Sequence, residues 1–174
     1  MDYFAFYEIP VSFKVDEGAL KRIFYANSKK YHPDFYTLES EAKQAEILEL
    51  STLNNKAYQT LSDFDRRMKY VLDLKGVLGE EGKNTIPQDF LMEMMEVNEE
   101  LMELEFDFDA SKLAQVKTAI TEKEASLYTA IASVVENYNA TTSDDSELQA
   151  IKDYYLKKRY LLRIQENLSK FAAR

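Results

Sequence analysis

The sequence predicts an all-α fold, and three observations support this prediction. The 174 residues include only four glycines and three prolines, so few positions interrupt a helix. Leu, Glu, Ala and Lys, which favour helices, are plentiful. Apolar residues recur at intervals of three and four, as they do on one face of a helix. An apolar fraction of 45% is that of a folded globular protein.

The N-terminal part of the chain is predicted to form a helical hairpin preceded by a short helix. Tyr3–Tyr7 is expected to form one helical turn that docks on the core. Asp16 is a good N-cap for a helix over residues 17–31, and Ser40 can cap a second helix over residues 41–61. Two long helices joined by a returning loop make an antiparallel hairpin.

A shorter helix over residues 65–74, capped by Ser62-Asp63, follows the hairpin, and Arg66, Arg67 and Lys69 are expected to keep it solvated. This helix and the two long helices each have a face predicted to be buried. The predicted core positions are Leu20, Ile23, Phe24, Asn27 and Tyr31 in the first long helix, Ala45, Leu50, Leu53, Ala57, Tyr58 and Leu61 in the second, and Tyr70, Val71 and Leu74 in the short one.

Three glycines between residues 75 and 85 indicate a domain boundary. The predicted domains are residues 1–75 and 87–174, joined by a linker over residues 76–86. From Pro87, a good first helical residue, helices are predicted over residues 87–105, 111–138 and 145–171, packed as a three-helix bundle. The predicted core of this bundle places Leu113, Val116, Ile120, Leu127, Ile131 and Val134 against Leu148, Ile151, Tyr155, Leu162 and Leu168.

The composition excludes several classes of function. A net charge of −9 argues against general nucleic-acid binding. The absence of cysteine excludes thiolate nucleophiles, disulfides and cysteine-ligated metal centres. No stretch approaches the roughly 20 apolar residues that span a bilayer, and the N-terminus lacks the features of a signal peptide. A cytoplasmic protein without a membrane partner is therefore expected.

Charge is distributed unevenly along the chain. The segment between Gly18 and Pro33 carries four Lys and Arg side chains and no acid, whereas the segment between Lys83 and Lys112 carries nine acids and no base. A basic face in one domain and an acidic face in the other suggest two different partners.

The tripeptide His32-Pro33-Asp34 contains the only histidine of the chain. A proline disfavours the helical conformation at the residue before it, so the imidazole and the Asp34 carboxylate should lie on a short, exposed turn. No Gly-rich phosphate loop, Ser-centred elbow or metal-ligand spacing accompanies the histidine, so catalysis by this chain is not supported. An ordinary turn, in which Asp34 caps a backbone amide, is the alternative.

Residues 1 to about 75 resemble the J-domain family, whose members recruit DnaK-like chaperones and trigger their ATPase. With the acidic Phe90-Leu91-Met92-Glu93 helix and the C-terminal bundle, the whole chain resembles the HscB family of iron–sulfur cluster assembly co-chaperones, which implies an L-shaped, two-domain molecule. Two positions depart from the J-domain pattern: Asn27 replaces an apolar residue, and Phe35 replaces a common Lys. The matching J-domain segments are Asp2-Tyr3-Phe4, Leu20…Phe24…Tyr31-His32-Pro33-Asp34, Asn54…Ala57-Tyr58…Leu61 and Arg67…Tyr70…Leu72…Leu74-Lys75-Gly76.

The resemblance implies a chaperone-binding surface in the first domain. Asp34 would accept a charge-assisted hydrogen bond from a chaperone arginine, while His32 and Pro33 hold the turn. The helix before the turn would face an acidic surface of the chaperone through Arg22, Tyr25, Lys29 and Lys30.

The helix from Pro87 has two apolar faces. Its predicted core stripe is Phe90, Met94, Val97, Leu101 and Leu104, and Leu91, Met95 and Met102 form a second shoulder bordered by acids. The shoulder suits a protein-binding groove, but the pattern alone leaves open a broad core face wedged between bundle and J-domain. The resemblance implies that it binds an IscU-type iron–sulfur scaffold through Leu91, Met92, Met95, Glu96, Glu99 and Glu103, together with Tyr160 of the last helix.

The expected function is therefore that of a non-enzymatic co-chaperone. It would stimulate the ATPase of an HscA-type, DnaK-like chaperone and deliver the scaffold to it, which promotes cluster transfer. No cofactor, metal or cluster is expected on a chain with no cysteine and one histidine. A J-domain co-chaperone for a different client and a non-catalytic helical adaptor remain the alternatives.

Overall fold

The computed structural model describes residues 1–173 and is helical, as predicted. Most helix ends lie within one residue of the positions expected from the capping residues and the periodicity. Short 3₁₀ helices cover Pro33–Tyr36 and Lys170–Ala173. The α-helices are α1 Tyr3–Phe6, α2 Glu17–Lys30, α3 Glu41–Leu61, α4 Phe64–Leu74, α5 Gln88–Phe106, α6 Ala110–Asn137 and α7 Asp145–Ser169.

The chain folds into two compact units. The first contains Met1–Lys75 together with Tyr138–Ser143, and thus α1 to α4. The second contains Gly76–Asn137 and the residues from Asp144 onward, and thus α5 to α7. The assignment of these regions as a J-domain and a scaffold-binding domain remains a prediction.

Side-chain caps determine where several helices begin. Asp16 Oδ1 accepts a hydrogen bond from the Ala19 amide at 2.8 Å, and Ser40 Oγ accepts one from the Lys43 amide at 3.2 Å. Both caps were predicted. Asp63 caps α4 in the same way, through the Arg66 amide at 2.8 Å. Each cap satisfies a backbone amide that lacks a partner within the helix.

The core of the first unit corrects the predicted inner face of α3 at three positions. Ala45 is exposed, whereas Ile47 and Asn54 are 2% and 1% exposed. Ile47, Asn54 and Leu61 repeat at seven-residue intervals and therefore share one face of the helix. Ala45 lies two positions before Ile47, about 200° around the helix axis, and thus points away from α2 and toward solvent.

Arg67 is the largest correction in this unit. It was expected to be solvated, but it is only 6% exposed. Its Nε donates to the Phe13 carbonyl at 2.8 Å, and a terminal guanidinium nitrogen donates to the Leu61 carbonyl at 2.6 Å. Leu74, expected to be buried, is 41% exposed, because Val71 and Leu72 already fill the inner face at this end of α4.

The second unit has the predicted core stripe on α5 and small corrections on α6 and α7. Phe90, Met94 and Leu104 are buried, and Val97 and Leu101 pack against them. Val135 is buried in place of Val134, because it continues the i, i+4 line from Ile131. On α7 the buried positions near the C-terminal end are Leu161, Ile164 and Leu168, whereas Leu162 is half-buried.

Candidate protein-binding surfaces

The tripeptide His32-Pro33-Asp34 lies on an exposed turn between α2 and α3. α2 ends at Lys30, and the Tyr31 amide donates to the Asn27 carbonyl at 2.8 Å to close its last turn. His32 then adopts an extended conformation with φ −75° and ψ 122°, as the following proline requires. Pro33 begins the one-turn 3₁₀ helix.

The imidazole of His32 caps this 3₁₀ helix. The Asp34 amide donates to His32 Nδ1 at 3.3 Å, so Nδ1 carries no proton in this arrangement. The alternative of an ordinary turn assigned the cap to Asp34, whereas in the structure the histidine is the cap. The Asp34 side chain is 83% exposed, and its Oδ2 lies 3.8 Å from His32 Nδ1. The carboxylate is therefore presented outward.

Two residues that sequence reasoning missed hold the ends of this turn. The Tyr36 hydroxyl donates to the Lys30 carbonyl at 2.7 Å and ties the turn to the last residue of α2. Gln44 Nε2 donates to the carbonyls of Glu39 at 2.9 Å and Thr37 at 3.3 Å, which ties the following loop to α3. A tyrosine and a glutamine in or near a loop carry no distinctive spacing, so the sequence has no signal for either contact.

The predicted basic face of α2 is exposed next to the turn. Arg22, Tyr25 and Lys29 are spaced three and four residues apart and share one face, and Lys30 follows. None of these cations forms an ion pair within residues 1–173, so their charges are available to a partner. Lys30 Nζ lies 5.1 Å from the centre of the Tyr31 ring.

The loop beside the tripeptide also exposes apolar side chains. Phe35 is 68% exposed, and its ring centre lies 5.5 Å from that of His32. Leu38 is fully exposed. The turn therefore offers apolar surface where the J-domain pattern commonly offers a lysine.

The predicted scaffold-binding shoulder of α5 is exposed as well. Leu91, Met92 and Met95 are 37%, 64% and 58% exposed, and the acids Glu96, Glu99 and Glu103 are exposed beside them. These side chains are therefore not part of the buried core of the second unit. Glu103 forms an ion pair with Lys112 at 3.1 Å and raises the pKa of that lysine.

Tyr160 lies on α7 and contacts α5 directly. Its hydroxyl accepts a hydrogen bond from Asn98 Nδ2 at 2.8 Å, and its ring packs edge-on against Phe90 with 5.6 Å between ring centres. Tyr160 is thus half-buried against the core of the second unit. Asn98, which sequence reasoning missed, thus fixes Tyr160 against the helix that carries the other six predicted positions.

Two further properties bear on the kind of site. Among the side chains of the described residues, no group of three or more His, Asp or Glu residues is arranged to hold a metal ion. No helix over residues 1–173 is long and apolar enough to cross a membrane.

Comparison with known proteins gives a consistent result. The family model described as the HscB C-terminal oligomerisation domain matches residues 86–169. The HscB co-chaperone of Proteus mirabilis is 30% identical over 169 residues, which are 97% of this chain and 94% of that protein. The HscB homologue of Chromobacterium violaceum is 35% identical over 133 residues, 72% of this chain and 76% of that protein.

Solved structures agree with the sequence relatives. The chaperone HscB from Vibrio cholerae superposes with a TM-score of 0.69 at 26% identity and covers 99% of this chain and 98% of its own. The human co-chaperone HscB superposes with a TM-score of 0.75 at 26% identity and covers 99% of this chain and 82% of its own.

Proposed function

Because the chain belongs to the HscB family of co-chaperones, we propose that it stimulates ATP hydrolysis by an HscA-type, DnaK-like chaperone. It also delivers an IscU-type iron–sulfur scaffold protein to that chaperone and so promotes cluster transfer. The chain itself catalyses no reaction in this proposal.

The observation that carries the proposal is the geometry of the turn. Since the His32 imidazole already caps the 3₁₀ helix, the Asp34 carboxylate is left with 83% of its side chain exposed. A carboxylate held on a short, tied turn can accept a charge-assisted hydrogen bond from an arginine at little entropic cost. His32 and Pro33 are therefore positioning residues, and Asp34 makes the contact.

The basic face of α2 supplies the electrostatic part of this interaction. Arg22, Lys29 and Lys30 form no ion pair in the part of the chain described, so they attract an acidic surface from a distance. Such attraction raises the association rate and makes it sensitive to salt. Binding that favours the hydrolysis-competent state of the chaperone then shifts its population toward that state, which accelerates hydrolysis without any catalytic group from this chain.

The α5 shoulder supplies the second interaction. Adaptable methionines with an acidic border suit a partner that presents apolar side chains with positive charge nearby. Leu91, Met92 and Met95 would supply the apolar contacts, Glu96, Glu99 and Glu103 the charge, and Tyr160 the adjoining aromatic edge.

Single-turnover ATP hydrolysis by an HscA-type chaperone tests the first interaction. We expect stimulation by the wild-type chain, loss of that stimulation with Asp34→Asn, and no loss with the control Asp145→Asn on α7. Added scaffold should increase the stimulation further. Stimulation that survives Asp34→Asn would contradict the proposal, and stimulation indifferent to scaffold would assign the co-chaperone to another client.

Calorimetric titration with an IscU-type scaffold tests the second interaction. The double variant Leu91→Ala/Met95→Ala should bind about tenfold or more weakly, which is a loss of about 1.4 kcal/mol for the two side chains together. Leu48→Ala, at a position of α3 that is 59% exposed, is the matched control and should bind normally. Equal affinity of the double variant and the wild type would remove the scaffold as the client of this surface.

A further inference from the structure

A groove of about 540 Å³ lies at the corner where α5 ends and α6 begins. Met102 and Phe106 form its apolar part and are 61% and 89% exposed. Glu99, Glu103 and Asp107 line it as well. Large apolar side chains that are exposed within a groove are typical of an interaction site.

The groove continues the apolar shoulder of α5. Leu91, Met95, Met102 and Phe106 are spaced by four, seven and four residues, so they follow one face of the helix. With a rise of 1.5 Å per residue, this exposed apolar line is about 22 Å long. The apolar scaffold-binding residues proposed above occupy its first part. The groove occupies the remainder and shares Glu99 and Glu103 with the proposed scaffold-binding acids.

The charge of the groove specifies the chemistry of its occupant. The groove is lined by four carboxylates and one lysine, and this lysine, Lys112, already forms an ion pair with Glu103. Asp109 accepts hydrogen bonds from the amides of Ser111 and Lys112 and is thus engaged at the start of α6. Glu99 and Asp107 form no ion pair within residues 1–173. A cationic segment is attracted to this groove and an acidic one is repelled.

The geometry points to this groove as a second docking position for the scaffold protein, one that receives a large apolar side chain flanked by Lys or Arg. The inference rests on the proposed function, because it extends the scaffold-binding surface from the α5 shoulder to the α5–α6 corner. The apolar side chain packs between Met102 and Phe106, while its basic neighbours face Glu99 and Asp107.

Titration of an IscU-type scaffold with Met102→Ser/Phe106→Ser tests the apolar part. We expect about tenfold weaker binding, with an unchanged melting temperature because both side chains are exposed. Leu48→Ser is the control for a lost exposed apolar residue. Unchanged affinity of the double variant overturns the inference. If Leu91→Ala/Met95→Ala still weakens binding in that case, the proposed scaffold surface on α5 stands without the groove. If neither variant weakens binding, the groove and the scaffold part of the proposed function both fail.

The charged part has its own test. Asp107→Asn, which leaves the acids of the α5 shoulder intact, should slow scaffold association and reduce its dependence on salt, relative to the control Glu122→Gln on α6, which removes the same charge elsewhere. Identical salt dependence of the two variants overturns the assignment of a basic occupant.

Photo-cross-linking identifies the occupant directly. With p-benzoyl-phenylalanine in place of Phe106, irradiation of the complex should yield a scaffold peptide that contains an apolar residue next to Lys or Arg. A cross-linked peptide without a basic residue overturns the inference. So does a cross-link to a second copy of this chain accompanied by unchanged scaffold affinity of Met102→Ser/Phe106→Ser.

Discussion

Asn54 connects α3 to α2 and to Tyr7, the residue that follows α1, through a buried side chain. Its Nδ2 donates to the Phe24 carbonyl and to Ser28 Oγ, both at 3.1 Å, and its Oδ1 accepts from the Tyr7 hydroxyl at 2.9 Å. α2 carries the proposed chaperone-binding face, so these bonds help to fix that face against α3. A fully satisfied buried amide specifies one arrangement of its neighbours better than an apolar residue does.

Asn54→Ala should lower the free energy of unfolding by about 2 kcal/mol, since it leaves a cavity and removes buried hydrogen bonds. Urea unfolding at equilibrium measures the change. Asn55→Ala, at the exposed position next to Asn54, is the control and should lower the free energy of unfolding far less. Equal stability of the two variants would show that the Asn54 network contributes nothing.

Tyr7 should make the first unit sensitive to alkaline pH. Burial, and to a lesser extent the nearby Tyr58, raises the pKa of the Tyr7 hydroxyl above its ordinary value near 10. The folded state therefore favours the neutral phenol. Its contribution to the free energy of unfolding is complete below about pH 10 and is lost as the pH rises above that value.

Urea unfolding between about pH 9 and 11 measures this dependence. Tyr7→Phe should start from a lower stability, because it loses its bonds to Asn54, but should lose less stability as the pH rises. Tyr25→Phe, at an exposed position of α2, should keep the pH dependence of the wild type. Parallel pH profiles for Tyr7→Phe and the wild type would refute the assignment to Tyr7.

At the scale of the elements, a buried cation, Arg67, adds to the apolar contacts that hold α4 in place. The Arg67 guanidinium reaches the carbonyl of Phe13, in the segment before α2, and that of Leu61, at the end of α3. Burial lowers the pKa of this guanidinium, while the nearby Glu17 and Asp63 act in the opposite direction. Arginine stays protonated throughout the physiological range, so α4 carries a buried positive charge with two backbone acceptors.

Arg67→Met should cost about 3 kcal/mol of stability. The substitution preserves most of the packing but leaves two buried carbonyls without donors. Arg67→Lys should not restore the loss, because one ammonium group cannot reproduce the two-pronged geometry of the guanidinium. Chemical denaturation compares both with Arg66→Met, a control at the exposed neighbouring position. A stability of Arg67→Met equal to that control would contradict this role.

At the scale of the whole molecule, the two proposed surfaces lie in different compact units. The basic face and the tripeptide belong to the first unit, and the apolar line of α5 belongs to the second. The net charge of −9 conceals this division, since one unit presents cations beside the turn and the other presents acids along α5. The two sets of residues share no contact partner, and substitutions at sites without shared partners commonly act additively.

The two interactions should therefore be separable. Asp34→Asn should leave the affinity for the scaffold within about twofold of wild type, and Leu91→Ala/Met95→Ala should leave the stimulation measured without scaffold within about twofold. Calorimetry and single-turnover hydrolysis on the same protein samples provide both values. A large effect of either variant on the other interaction would show that the surfaces are coupled.

The sequence by itself determined which segments are helical and where most helices begin and end. The caps at Asp16 and Ser40 and the spacing of apolar residues act between near neighbours, so they are readable without a fold. The exposed turn that carries Asp34 was predictable too, since Pro33 prevents α2 from continuing, whereas the cap by His32 was not.

Only the tertiary structure decided how each helix is rotated and which polar groups are buried. Arg67 looked like a solvated cation because its partner at Phe13 lies 54 residues away in the chain, and Tyr36 gave no sign of its bond to Lys30. Ile47 is buried instead of Ala45 for a similar reason. Periodicity shows that a helix has an apolar face, but the position of the neighbouring helices determines which residues of that helix are buried. The groove beside Phe106 likewise exists only because the turn after α5 brings the start of α6 to it. Such contacts depend on residues distant in sequence, and no local pattern encodes them.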